Sequence, residues 1–261
     1  MKSNFIGCQN STLLKSISKP GRYAGGEYGQ IIKDKANIKA RFAFCFPDTY
    51  EIGMSNLGVR ILYDVLNRES DIACERVYAP WTDMQEQMEK YNIPLATVES
   101  ASPVKEFDLV GFSLQYELCY TNVLSMLGLG GIEILSKDRG EDAPIVIAGG
   151  PCVCNAEPMA DFFDLIVIGE GEEVMPELVN LYRKAKKSGW SKHEFLKNAA
   201  AIGGVYVPSF YDVEYKADGT IDSITPTNGA PKVVKKRVVA DFDKAYYPDR
   251  FIVPSTEVVF D

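Results

Sequence analysis

Four short stretches carry residues whose types and spacing suit ligand chemistry: Asp48-x-Tyr50-x-x-Gly53 in "PDTYEIG", Ser113-Leu114 in "GFSL", Gly149-Gly150-Pro151 in "IAGGP", and Gly169-Glu170-Gly171 in "GEGEE". Aspartate and serine offer an acceptor and a donor, tyrosine a phenol, and glycine a backbone that a flat ligand can approach closely. Taken singly, each more often serves local backbone structure than a ligand. Together they close successive strand-like runs, a more specific pattern.

Other chemistries are poorly supplied. The single histidine, His193, sits in a lysine-rich stretch, so no Ser-His-Asp or Cys-His arrangement can be assembled, and no catalytic residue is assigned. Cys8, Cys45, Cys74, Cys119, Cys152 and Cys154 are scattered, and the one close pair, Cys152-Val153-Cys154, lacks the second pair of a zinc site. Glu172 and Glu173 read as acidic residues favouring the positive end of a helix rather than a metal cage, and no metal ligand is assigned. A dinucleotide site needs G-x-G-x-x-G directly after the first strand. The chain has "PDTYEIG" there, "GLGG" (128–131) precedes a strand, and the carboxylates of "GEGEE" repel phosphate.

The elements that must position these residues alternate. Apolar runs at 40–46, 72–79, 107–114, 143–150 and 163–171 read as strands. Amphipathic stretches at 56–67, with Ser55 as N-cap, 81–92, 116–127 and 172–189 read as helices. The pattern predicts an α/β fold, a doubly wound, flavodoxin-like five-stranded parallel sheet of order 2-1-3-4-5. Ligands of such sheets bind beyond the carboxyl ends of the strands, where the four stretches lie. Residues 1–37 form a lead-in, 38–202 the Rossmann-like domain, and 203–261 a β-rich extension with a hairpin turn at Asp218-Gly219. The closing "EVVFD" reads as cut from a longer chain.

With 261 residues and 46% hydrophobic content the chain can bury a substantial core. A net charge of −8 speaks against general nucleic-acid binding. No apolar run approaches the roughly 18 residues of a membrane span, and the polar N-terminus is unlike a secretory signal. A cytoplasmic protein with reduced thiols is expected.

The stretches "KPGRYAGGEYGQIIKD", "FPDTYEIGMSNLGVRILYDVLN", "DLVGFSLQYELCYTNVL", "IVIAGGPCVCNAEPMADFFDLIVIGEGEE" and "GGVYVPSFY" resemble the N-terminal cobalamin-binding-type domain of an uncharacterised branch of radical SAM proteins, over residues 19–261. The resemblance implies cobalamin as cofactor, with Asp48, Tyr50 and Gly53 below the corrin, Ser113 and Leu114 beside its nucleotide tail, Gly149, Gly150 and Pro151 at the sheet end, and Gly169, Glu170 and Gly171 at the far rim. Tyr50 stands where the D-x-H-x-x-G motif has its cobalt-ligating histidine, a departure common in the wider superfamily. The resemblance also implies a following radical SAM barrel of the same parent chain as partner, with a [4Fe-4S] cluster and S-adenosylmethionine. No C-x-x-x-C-x-x-C spacing occurs here, so the chain alone is expected to be inactive, with its substrate unread. The alternative is a non-catalytic substrate- or partner-recognition module of the same fold that has lost cobalamin, favoured if the crevice is too narrow for a corrin, for example if Tyr50, Tyr116 and Tyr120 fill it.

Overall fold

A computed structural model describes residues 11–250 and 252–253. Five parallel strands, β1 (Ala40–Phe46), β2 (Ile72–Tyr78), β3 (Leu109–Ser113), β4 (Ile145–Gly149) and β5 (Leu165–Val167), lie in the expected order β2-β1-β3-β4-β5. A sixth, β6 (Val205–Tyr206), adds antiparallel to β5. The strands are apolar because helices cover both faces. Phe42, Phe44 and Phe46 pack with Ile147 and Val167 on one face, Ala43 and Cys45 with Val110 and Phe112 on the other.

The helices are α1 (Ser11–Leu14), α2 (Tyr50–Ser55), α3 (Leu57–Asn67), α4 (Thr82–Tyr91), α5 (Tyr120–Leu129), α6 (Gly171–Ser188) and α7 (Lys192–Ala199). Helices α3 and α6 lie against the phenylalanine face through Val59, Tyr63, Leu66, Val174 and Leu178, while α4 and α5 cover the other. Most strands and helices are a few residues shorter or shifted against the sequence expectation, β5 most of all, at three residues where 163–171 was expected, and two local features differ in kind. The "PDTYEIG" loop runs into the short helix α2. Ser55 closes that helix by donating to the Ile52 carbonyl at 2.8 Å, so the N-cap of α3 is Asn56, whose side chain accepts from Val59 N at 3.0 Å. Residues 117–119 form a 3₁₀ turn that delays α5 to Tyr120.

The lead-in covers the exposed edge of the sheet at β2. Arg76, 1% exposed, pairs with Glu99 at 2.6 Å and with Glu27 of the lead-in, and Leu13 and Ile17 join the core. An open edge is thus blocked by side chains and irregular backbone. In the extension, β7 (Tyr211–Tyr215) and β8 (Ile221–Pro226) form the expected hairpin, with Gly219 at φ +83°. Residues 237–246 then return to the sheet and bridge Gly169 through Arg237. Among the described residues, no helix is long and apolar enough to cross a membrane.

Candidate functional site

A slot of about 310 Å³ opens at the carboxyl ends of β1, β3, β4 and β5 and runs down between the sheet and helices α3 and α6. Its construction follows the periods of its walls. On the strands, Ser113 stands above Gly111 and Gly149 above Ile147, each pair two residues apart, and Gly169 follows Val167 past the end of β5. On the helices, Gly58 stands above Leu62 and Leu66, and Gly171 above Met175, at four-residue spacing. Small residues therefore line the mouth and, apart from Gly111, large apolar ones the interior. From Gly58 to Leu66 the helical rise gives a depth of about 12 Å.

The glycines differ in cause. Gly150 has φ +100°, and a Cβ there would lie 2.6 Å from the Leu114 carbonyl oxygen. Gly169 has φ +123°, and a Cβ would strike the Arg237 backbone; at Gly171 it would lie 2.9 Å from Leu62. These three are required by the chain's own packing. Gly149 is not: its Cβ would meet only the Val167 carbonyl oxygen, at 3.9 Å. The space beside Gly149 belongs to the slot.

Polar groups gather at the mouth. Gln115 Nε2 donates to Ser113 Oγ at 2.7 Å, and Asn56 Nδ2 to Gln115 Oε1 at 3.4 Å. With its oxygen already accepting, the Ser113 hydroxyl proton remains as a donor. On the far rim, Glu170 Oε2 accepts from Val239 N at 2.5 Å, and Glu173 pairs with Arg237 at 3.1 Å. The acidic start of α6 thus anchors the returning extension. Among the described residues, no group of three or more His, Cys, Asp or Glu side chains is arranged to hold a metal ion.

Of the residues singled out in the sequence, Ser113, Gly149, Gly150, Pro151, Gly169, Glu170 and Gly171 come together around the slot. Asp48, Tyr50, Gly53 and Leu114 do not line it. The Tyr50 phenol donates to Glu27 Oε1 at 2.5 Å, and its ring packs edge-on against Tyr78 with centroids 5.2 Å apart. Burial, reinforced by the Glu27 hydrogen bond, pushes that phenol well above the ordinary tyrosine range. A Cβ at Gly53 would lie 2.5 Å from the Tyr78 ring, so glycine is needed there for packing. Asp48 accepts from Thr49 N and from the Tyr116 hydroxyl, both at 2.7 Å, and the latter bond pushes Tyr116 up to about 12. Leu114 is buried on the opposite face. Tyr50, Tyr116 and Tyr120 leave the slot unfilled. The walls Phe42, Phe44, Leu62, Leu66 and Met175 are not among the residues singled out in the sequence; the four-residue pairing of glycine with leucine or methionine on both helices is the signal that marks them.

Cys152 is half-buried and Cys154 exposed on the turn after Pro151, and both are free thiols, as are buried Cys45, Cys74 and Cys119. Cys8 lies outside the described residues. Burial, then the nearby Glu117 carboxylate, pushes the Cys152 thiol up, which suppresses the reactive thiolate.

Residues 58–208 match the family described as radical SAM proteins, N-terminal. The chain belongs to the radical SAM N-terminal family. The matched span holds every slot residue except Phe42, Phe44 and Asn56. This radical SAM N-terminal chain is also similar to the uncharacterized protein MJ0966 of Methanocaldococcus jannaschii, 29% identical over 143 residues. That alignment covers 53% of the chain and 26% of the relative, so the chain corresponds to about a quarter of the relative's length. No solved structure matches it significantly.

Proposed function

We propose that this domain binds cobalamin, receiving the nucleotide tail in the slot, and presents it to a radical SAM barrel of the same parent chain. The observation that carries the reading is the slot itself: an apolar cleft at the carboxyl end of a doubly wound sheet, with space beside Gly149 that no packing of the chain requires. Its 310 Å³ suits a base and part of its sugar, and a corrin is too large to enter.

Ser113 would donate a hydrogen bond to the tail, Gln115 would hold the Ser113 oxygen in place, and Phe42, Leu62, Ile147 and Met175 would exclude water from it. Gly149, Gly150 and Pro151 would form the near rim, and Gly169, Glu170 and Gly171 the far one. The chain has no imidazole at the slot, since His193 lies on α7 against Phe210, and the Tyr50 phenol is held by Glu27. A cobalt atom would therefore receive no side chain of the described residues from these positions. When bound, cobalamin supplies methyl-transfer or redox chemistry at cobalt.

The cluster and S-adenosylmethionine belong, on this reading, to the barrel. Support for a partner at the sheet end comes from exposed apolar residues on the segments that follow the strands: Ile52 at 51%, Leu57 at 55% and Leu118 at 84% exposure. The proposed boundaries are 1–37, 38–202 and 203–261, with the cytoplasm as compartment. The test is a visible-absorbance titration of the purified chain with hydroxocobalamin and with reduced cobalamin. Saturable change to a base-off spectrum supports the reading. No saturable change, in the chain or in the parent protein with its barrel, refutes it.

A further inference from the structure

We infer that the slot selects cobamides whose lower base is a benzimidazole and discriminates against those carrying a purine, an inference that rests on the cobalamin reading above. The interior walls are Phe42, Leu62, Leu66, Ile147, Val167 and Met175. None offers a nitrogen or oxygen in its side chain. The strand backbones behind them are committed to the ladders joining β1, β3, β4 and β5. Among the described residues, the buried side-chain atoms without a hydrogen-bond partner are Arg41 Nη2 and Glu51 Oε2, and neither residue lines the slot.

The polar groups stand at the mouth. Ser113, Gln115 and Asn56 form the relay already described, and Glu170 and Glu172 flank Gly171 one turn above Met175. With its oxygen accepting from Gln115, the Ser113 hydroxyl has one proton to offer a ring nitrogen. A benzimidazole joined to its ribose presents one free ring nitrogen and an otherwise apolar perimeter, which matches one donor at the mouth and hydrocarbon below. A purine brings further ring nitrogens and, in adenine, an exocyclic amine. Pushed below the mouth, among the six apolar walls, these lose water and gain no partner. Leaving such groups unpaired lowers affinity by about tenfold or more.

The experiment compares three ligands by visible titration of the same chain: cobalamin, adeninylcobamide, and cobinamide, which has no nucleotide tail. Cobalamin is expected to bind about tenfold or more tightly than adeninylcobamide, with cobinamide weakest. Equal affinities for the two cobamides, or a preference for the adenine form, overturn the inference while leaving the cobalamin reading intact. Cobinamide binding as tightly as cobalamin overturns it too, because the tail then lies outside the slot. Failure of both cobamides to bind overturns the inference together with the reading beneath it. Leu62→Gln, which places an amide in the wall, is expected to narrow the preference. An unchanged ratio in a folded Leu62→Gln chain counts against the wall as its source, and the wild-type comparison decides alone if that chain does not fold.

Discussion

Adjacent glycines at the end of β4 should separate binding from folding. In Gly149→Val the new side chain points to the same face as Ile147, and its Cβ meets only the Val167 carbonyl oxygen at 3.9 Å. The backbone is an ordinary strand, in which valine is favoured over glycine, so the stability change is expected within about 1 kcal/mol of zero. The isopropyl group enters the slot, and overfilling a packed site costs about 1–3 kcal/mol. That is a loss in cobalamin affinity of roughly five- to 150-fold. Gly150→Val is the opposite case. Its φ is +100°, and the Cβ would lie 2.6 Å from the Leu114 oxygen and 2.9 Å from its nitrogen. Strain of about 1–3 kcal/mol adds to a clash with backbone that cannot turn aside, so this variant should lose at least about 2 kcal/mol. Urea denaturation followed by circular dichroism reads the stabilities, and hydroxocobalamin titration reads the binding. If Gly149→Val binds like wild type, or unfolds as readily as Gly150→Val, the assignment of that space to a ligand is wrong.

Other outcomes follow from the network around the site. Arg76→Met should destabilise the fold by about 3–5 kcal/mol in urea melts, because Glu99 and Glu27 would be left buried without their cation. Tyr116 and Tyr246 are each pushed up to about 12 by hydrogen bonds to Asp48 and Asp64. A raised tyrosine favours the folded state fully below the unfolded value near 10 and loses that contribution as pH rises toward 12. Stability should therefore fall over that window, and a smaller fall in Tyr116→Phe, measured by thermal melts across pH, would locate part of it at Asp48. Tyr50→Phe should leave a bound cobalamin spectrum unchanged, since the phenol is engaged by Glu27; a shifted spectrum would place that oxygen on cobalt. In native thiol labelling, Cys154 should react before Cys152, which is less exposed and has a raised thiol; the reverse order would contradict the described turn.

The strands were legible because burial on both faces leaves nearly continuous apolar runs, and "DLVGFS" or "PIVIAGG" has few other uses in a chain of this composition. Helix α2 was not. Pro47, Asp48, Thr49 and Gly53 all favour turns, and the need for glycine at 53 comes from the Tyr78 ring, supplied by another strand. Gly149 and Gly150 are identical as letters, and only the backbone angle and the Leu114 carbonyl distinguish a packing glycine from one facing open space. The mouth of the site could be read because its residues interrupt apolar runs. Its walls could not, since Leu62 looks the same in sequence whether it meets another leucine or a cleft. The likeness of Asp48-x-Tyr50-x-x-Gly53 to a ligand motif depended on spacing alone, and each residue has a partner inside the protein: Tyr116, Glu27 and Tyr78.

The acidic "GEGEE" loop shows how a motif can serve a site without touching chemistry. Gly169 pairs with the backbone of Arg237, Glu170 accepts from Val239 N, and the Arg237 guanidinium reaches Glu173 at 3.1 Å and Glu177 at 3.3 Å on α6. Nine residues beyond Arg237, the Tyr246 hydroxyl donates to Asp64 and its ring lies 4.0 Å from the Arg68 guanidinium, both on or beside α3. The extension therefore ties together the two helices that wall the slot. Each surface ion pair contributes at most about 1 kcal/mol, but the backbone pairing at Gly169 fixes the register of the strap, and the positive φ there admits little besides glycine. The Glu170 and Glu173 carboxylates are thus explained by the amide and arginine they hold, which leaves the slot's selectivity to its apolar walls and to Ser113, Gln115, Asn56 and Glu172 at its mouth.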